Sequence, residues 1–191
     1  MGLLDTFLGR SKPVKPDLDA LFALPSAAVT LQAAANLRPT GAGSVCVKAA
    51  EGGAFEGLQG EIDELLAVDT GGTSKYDKTT DTYGFTWLTR RTSPEDISGL
   101  ITDLHAVNST LDGAGFGPAL LCTLVAFSDG KSPTFGLVYL YKRGTWYPFA
   151  PNGPTTRDNS RELQVRAMLG DDLKVESDLS RWFPVWGAPG L

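Results

Sequence analysis

Apolar residues recur at every third or fourth position in two long stretches of the chain, a spacing that predicts amphipathic helices. The first stretch covers residues 54–68 and the second covers residues 93–112. Ser93 is the expected N-cap of the second helix, because Pro94 follows it at the first helical turn. The same reasoning predicts shorter helices at 17–24 and 159–169.

Other stretches alternate apolar with polar residues, or are short and apolar, and both patterns predict strands. These strands are expected at 26–35, 45–47, 83–87, 120–127, 135–141 and 146–149. Residues 26–35 are also rich in alanine, so a helix stays open there, and the polar residues 70–81 are predicted to be a loop. Pro148 lacks an N–H donor, which favours an edge position for the last strand.

The strands are joined by short connections, which favours hairpins. We therefore predict an α+β fold, with a mainly antiparallel sheet and helices on one face. When residues 54–68 are set aside as an insertion, the element order is similar to the type III secretion chaperone-like fold, a likeness that carries no function. The expected organisation is an N-terminal apolar helix and proline linker at 1–16, followed by a single α+β domain at 17–191.

The N-terminal helix is a candidate docking element. Its apolar side consists of Leu3, Leu4, Phe7 and Leu8, and Pro13 and Pro16 separate it from the body of the chain. A segment this short is not stably helical alone, so it must find a surface. That surface is either the protein's own sheet, a partner, or an anionic membrane.

Composition narrows the function classes. The chain has 191 residues and a net charge of −5, from 17 Lys and Arg against 22 Asp and Glu. An acidic chain without a basic run disfavours nucleic-acid binding. No apolar run approaches the roughly 20 residues of a membrane span, and no signal peptide is visible, so the cytoplasm is the expected location.

Catalytic chemistry has few candidates. The one histidine, His105, lies at the margin of the apolar stripe of the 93–112 helix, and Asn108 lies near its centre. Both are more simply structural than catalytic. Cys46 and Cys122 lie in apolar stretches and are expected to be buried free thiols. We therefore expect no catalytic residues, no metal and no cofactor, with a small-ligand or enzyme pocket near His105 and Asn108 as the alternative.

Aromatic residues point towards binding instead. Trp, Tyr and Arg dominate interface hot spots, and in this chain such residues cluster around the 142–146 turn and in the C-terminal tail. The candidate binding residues are Arg143, Trp146, Tyr141, Lys142, Trp182 and Trp186.

Several segments together resemble one family. They are Gly2–Asp5, Leu21–Ala27, Thr102–Thr110, Tyr139–Thr145 and Arg181–Gly187. From the first residues to the last, the chain resembles the PspA-associated protein PspAB of actinobacteria and archaea. The resemblance implies association with the phage-shock system, in which the coiled-coil membrane-remodelling protein PspA protects the cytoplasmic membrane under envelope stress. It implies no catalytic residues.

The sequence thus predicts a cytoplasmic, non-enzymatic accessory or adaptor protein of the phage-shock membrane-stress response. It would act by protein–protein contacts with PspA or another phage-shock component. Residues 1–10 are the candidate segment for a peripheral contact with the membrane. A chaperone-like domain that binds extended peptides on its sheet is a further alternative.

Overall fold

A computed structural model describes residues 16–48 and 76–191 of the chain, together with Gly57 and Glu64. The predicted N-terminal helix, with Leu3, Leu4, Phe7 and Leu8, lies outside the described residues. So does most of the predicted helix at 54–68, of which Gly57 and Glu64 are helical and exposed.

Six antiparallel strands form one sheet in the order β2-β3-β1-β4-β5-β6. The strands are β1 (Arg38–Lys48), β2 (Asp77–Thr80), β3 (Phe85–Arg91), β4 (Leu120–Ser128), β5 (Phe135–Leu140) and β6 (Thr145–Phe149). The predicted α+β class with a mainly antiparallel sheet is therefore confirmed. Strand β6 lies at the edge of the described sheet, as Pro148 predicted.

Within residues 16–48 and 76–191, three α-helices pack on one face of this sheet, as predicted. They are α1 (Leu24–Ala35), α2 (Ile97–Leu111) and α3 (Asn159–Leu169), and a 3₁₀ turn (Leu18–Ala23) leads into α1. The core on this helical face includes Leu24 and Leu31 of α1, Leu104 of α2, and Phe127 and Trp146 of the sheet. Each of these side chains is at most 1% exposed.

The strand predicted at 26–35 is wrong, because these residues belong to α1. Pro25, which directly follows the helix predicted at 17–24, lies in the first turn of α1, where its missing N–H leaves no hydrogen bond unmade. The helix ends at Asn36, which adopts a left-handed conformation at φ 54°. The alanine content that made this stretch ambiguous is what a helix favours.

The predicted N-cap of α2 is displaced by three residues. Asp96 caps the helix, and its side chain accepts a hydrogen bond of 2.9 Å from the Gly99 N–H. Ser93 lies before the helix, where its hydroxyl donates to Glu95.

The loop predicted at 70–81 contains β2, a short strand that pairs with β3. All four residues of β2 are exposed, so no alternation of apolar residues marks them. The turn into β3 places Gly84 at φ +82°, a conformation that glycine adopts without steric cost.

The C-terminal segment crosses the other face of the sheet, where it covers a second, smaller core. This core joins Trp87, Val138 and Phe149 of the strands to Trp182 and Ala188 of the tail. Val175 forms an isolated parallel bridge with Trp146 and begins this crossing.

The prediction about membrane-spanning segments needs one correction. The continuous helical stretch Leu18–Ala35 has the length and hydropathy of a spanning helix, with a mean hydropathy of 1.4. Within it, Leu21, Leu24 and Leu31 are fully buried against the sheet and its helices. Core helices pass the same test of length and composition, so the stretch is weak evidence for a span.

Candidate functional site

An apolar groove of about 720 Å³ opens on the face of the sheet that the helices leave free. Its floor is built from side chains of the central strands, and its two walls come from the β2–β3 hairpin and from the C-terminal tail. The aromatic residues that line it are Tyr83, Phe85, Trp87, Tyr147, Phe183 and Trp186. This volume lies within the range of about 300–1,000 Å³ that is usual for binding pockets.

Asp81 holds the first wall in place. One oxygen of its carboxylate accepts hydrogen bonds from the backbone N–H groups of Tyr83 and Phe85, each of 2.9 Å. The other oxygen accepts a bond of 2.9 Å from the indole Nε1 of Trp87. A single carboxylate therefore fixes the turn, the start of β3 and the orientation of the indole that faces the groove.

The second wall is the tail, and hydrogen bonds from side chains of the body hold it in place. The hydroxyl of Tyr147 donates to the Phe183 carbonyl at 2.7 Å, and Arg157 donates to the Trp182 carbonyl at 2.7 Å. The indole of Trp182 in turn donates to the carbonyl of Glu176 at 3.0 Å. These bonds present Phe183 to solvent at 55% exposure while Trp182 stays buried.

Glu176 joins the tail to the β5–β6 hairpin at the rim of the groove. Its buried carboxylate accepts hydrogen bonds from Arg143, from the Thr145 hydroxyl and from the backbone N–H of Asp178. Burial acts to raise the pKa of Glu176, but these bonds outweigh it and hold the pKa below its usual value. Glu176 also raises the pKa of Arg143 through their hydrogen bond, so both partners are charged at neutral pH.

The two cysteines stand opposite each other on β1 and β4 in the floor of the groove. Both are free and buried, as predicted. A hydrogen bond with the Cys122 thiol, and then burial, raise the pKa of Cys46 above the usual range. At physiological pH Cys46 is therefore a neutral side chain that adds to the apolar floor.

Among the predicted binding residues, the structure brings Lys142, Arg143 and Trp186 together at the groove. Lys142 donates to the carbonyl of Pro118 at 2.9 Å, and Arg143 pairs with Glu176. Trp186 packs edge-on against Phe149, with ring centroids 4.9 Å apart.

The other three aromatic candidates, Trp146, Tyr141 and Trp182, are buried. Trp146 is 1% exposed and lies on the helical face, because neighbouring residues of a strand point to opposite faces. Tyr141 also belongs to the helical face, where its hydroxyl donates to Asp112 at 2.7 Å. Trp182 anchors the tail from beneath, at 5% exposure.

His105 and Asn108 do not form a pocket together in the described part of the chain. Asn108 is 1% exposed, and its amide donates to the Leu104 carbonyl at 2.8 Å and to the Thr123 hydroxyl at 2.9 Å. His105 lies near the surface, where its ring packs on Phe22 with centroids 4.8 Å apart and its Nε2 is 3.2 Å from a carboxylate oxygen of Asp19. Both residues thus have the structural partners that their positions in α2 suggested.

Several lining residues of the groove were not among the sequence-based candidates. Tyr83, Phe85, Trp87 and Tyr147 lie in stretches predicted only as strands, and Phe183 lies in the aromatic C-terminal tail. The alternation along β3 and β6 indicates which of their residues share a face, but the face that the tail covers depends on long-range packing.

Comparison of the chain with protein-family models shows the family to which it belongs. The model of PspA associated protein B matches residues 1–190 of the chain. The chain belongs to this family. The match covers all the elements described above, so the groove is a feature of this PspA-associated protein and not of an appended domain.

Neither the curated proteins nor the solved structures contain a significant match to the chain. The similarity to the type III secretion chaperone-like fold therefore stays a prediction. Among the described residues, no group of three or more His, Cys, Asp and Glu side chains is placed to hold a metal ion.

Proposed function

We propose that this PspA-associated protein is a non-enzymatic adaptor of the membrane-stress response, and that it acts in the cytoplasm by binding PspA in its apolar groove. The family supports a role linked to PspA. The groove supplies a surface of the right kind, because it is concave, apolar and rich in aromatic side chains.

The observation that carries the proposal is the composition of the groove. Its aromatic walls and the arginines at its rim are the residue types that dominate interface hot spots. The family resemblance implies a coiled-coil PspA, whose helices carry an apolar face. An apolar helix face that lies in a hydrophobic groove is a recurring mode of protein recognition, so we assign such a face of PspA as the occupant.

The polar side chains around the groove support binding over catalysis. Asp81 is bonded to Trp87 and to the turn, and Tyr147 is bonded to the tail. At the rim, Arg143 pairs with Glu176 and Arg181 pairs with Asp178. These groups already have internal partners that maintain the shape of the groove.

Two phenylalanines provide a matched test of this proposal. Phe183 is 55% exposed on the wall of the groove, and Phe22 is 48% exposed on the helical side of the molecule. We expect Phe183→Asp to weaken the affinity for purified PspA at least tenfold, a loss of about 1.4 kcal/mol or more, while Phe22→Asp leaves it unchanged. The affinities can be measured by isothermal titration calorimetry.

Circular dichroism must show that both variants fold like the wild type. If Phe22→Asp weakens binding as much as Phe183→Asp, the contact surface is not the groove. If purified PspA does not bind the wild-type protein, the adaptor function itself is contradicted.

A further inference from the structure

We propose that Cys46 and Cys122 are a reversible redox modification site in the floor of the apolar groove. The two thiols close into a cross-strand disulfide when a low-molecular-weight disulfide enters the groove. This oxidation does not depend on PspA. A regulatory consequence rests on the proposed function, because PspA bound in the groove would shield both thiols from the reagent.

The two cysteines are direct neighbours across the middle of the sheet. They are Cα partners in the antiparallel pairing of β1 with β4. Between β4 and β5, the Tyr141 N–H donates to the Leu121 carbonyl at 3.2 Å, so the N–H and C=O of Cys122 point away from β5 and towards β1. Cys46 and Cys122 are therefore a hydrogen-bonded pair of the ladder, with Cα atoms about 5.5 Å apart. This distance lies within the range of about 4.4–6.8 Å that disulfides require.

The side chains of the pair also meet. Both line the groove, and their thiols are joined by a hydrogen bond. Directly opposed Cβ atoms lie about 4.5–5.5 Å apart, whereas those of a disulfide lie about 3.5–4.5 Å apart, so the strands must approach by up to about 1 Å. The ladder between β1 and β4 is irregular directly after Cys46, where this adjustment breaks no regular pairing. A bond that closes under such strain is more easily reduced, as in regulatory disulfides.

The groove gives a reagent its access to the pair. Cys46 is 3% exposed and Cys122 is 6% exposed, and both are free thiols that line the groove. The groove has a volume of about 720 Å³, which is enough to admit a small organic disulfide. Access through the groove alone favours a small reagent over a protein oxidant. It also favours a bond within the chain over a bond between two chains.

The hydrogen bond between the thiols gives them different roles. It favours the proton on Cys46, whose pKa is raised above the usual range, so Cys122 supplies the attacking thiolate. Its sulfur attacks one sulfur of the external disulfide, the S–S bond breaks, and the thiolate that leaves takes up the proton that Cys122 lost. Cys46 then gives up its proton and attacks the Cys122 sulfur of the mixed disulfide, and a second external thiol leaves. Two protein thiols are thereby oxidised to one disulfide, and the reagent is reduced to two thiols.

The test treats the purified, reduced full-length chain with an excess of glutathione disulfide in the absence of denaturant. The protein is then denatured, its remaining thiols are alkylated with iodoacetamide, and its intact mass and unreduced peptides are read by mass spectrometry. We expect a monomer that has lost two hydrogen atoms, no alkylated cysteine, and a peptide pair linked through Cys46 and Cys122. A glutathione adduct on Cys122 should appear first and then decay, because the raised pKa of Cys46 slows the second step.

The two single-cysteine variants are the matched controls. Cys46→Ala should keep the glutathione adduct on Cys122, since it has no second thiol to displace it. Cys122→Ala should form its adduct roughly tenfold more slowly or less, because the remaining thiol is the one with the raised pKa. Equal rates in the two variants would overturn the role of Cys122 as the attacking thiol. The wild-type measurement stands even if either variant fails to fold.

A link that forms only in urea, a disulfide-linked dimer, or a lasting adduct without a link in the wild type would overturn the site. So would a folded chain that keeps both thiols under conditions in which the unfolded chain loses them. Circular dichroism must show that the oxidised chain keeps its fold, and an excess of reduced glutathione should then restore both thiols. A bond that resists this reduction would contradict a reversible site. Because none of these measurements contains PspA, failure here is distinct from failure of the proposed function.

Discussion

At the scale of single residues, Glu176 links three parts of the structure at the rim of the groove. Its backbone N–H donates to the Trp146 carbonyl at 2.7 Å, and its side chain binds Arg143 and Thr145. The residue thus ties the tail to the edge strand β6 and to the hairpin before it. Removal of the charge leaves the guanidinium of Arg143 without its anionic partner.

We expect Glu176→Gln to lower the free energy of unfolding by about 1.5–3 kcal/mol at pH 7, as for a hydrogen bond to a charged group. The pKa of Glu176 is lowered in the folded state. The stabilisation is therefore complete above the unfolded value of about 4.3 and is lost as the pH falls through the lowered folded value. Urea unfolding of both proteins between pH 3 and pH 7 measures this difference.

The exposed residue Glu64 provides the control, because Glu64→Gln removes the same charge from a position on the surface. This control should change the unfolding free energy little at any pH. A difference for Glu176→Gln that stays constant down to pH 3 would show that the carboxylate charge does not stabilise the fold.

Residue types alone could not separate contact residues from core residues in this chain. Trp146 and Tyr147 are adjacent and equally aromatic, yet Trp146 packs beneath the helices and Tyr147 faces the groove. The alternation of a strand shows that they point apart. Which of the two faces receives the helices is decided by packing between elements that are distant in the sequence.

At the scale of elements, the C-terminal tail acts as a wall that depends on a few hydrogen bonds. Between Trp182 and Gly187 the tail has no regular secondary structure, so its backbone is held by side chains of the body. The Tyr147 hydroxyl is one such group, and burial raises its pKa well above the usual value. It therefore stays a neutral donor to the Phe183 carbonyl over the whole physiological range.

We expect Tyr147→Phe to destabilise the protein by about 0.5–1.5 kcal/mol, the usual net value of one hydrogen bond. The local effect should be larger, with faster amide hydrogen exchange at residues 183–187 and unchanged exchange in α2. Hydrogen exchange read by mass spectrometry measures both. Tyr83→Phe is the control, since Tyr83 is 59% exposed on the opposite wall, and a similar loss of protection in both variants would contradict the role of the Tyr147 bond.

The sequence predicted best those elements in which apolar residues recur at a regular spacing. Strands β4 and β5, and helix α2, have clear apolar patterns and lie close to the predicted ranges. Strand β2 is exposed throughout and pairs only through its backbone, so it has no such pattern. Helix α1 was assigned to a strand because alternation within its alanine-rich residues resembles a strand period.

At the scale of the whole molecule, the sheet separates two cores of different size. The larger core lies beneath the three helices, and the smaller one lies beneath the tail. The tail covers only part of its face, and the remainder is the groove. The sequence predicted the sheet, the helical face and the family. It did not predict the groove, because the two walls of the groove come from residues about 100 positions apart in the chain.

The central claim is that the groove is where this protein contacts PspA, and hydrogen exchange on the complex tests it most directly. Purified protein is compared with and without saturating PspA, and the protected amides are mapped along the chain. We predict new protection at residues 83–88 and 183–187, the two walls of the groove, with little change on the exposed side of α1 around Val29. Protection confined to α1 and α2, with the two walls unchanged, would contradict the claim.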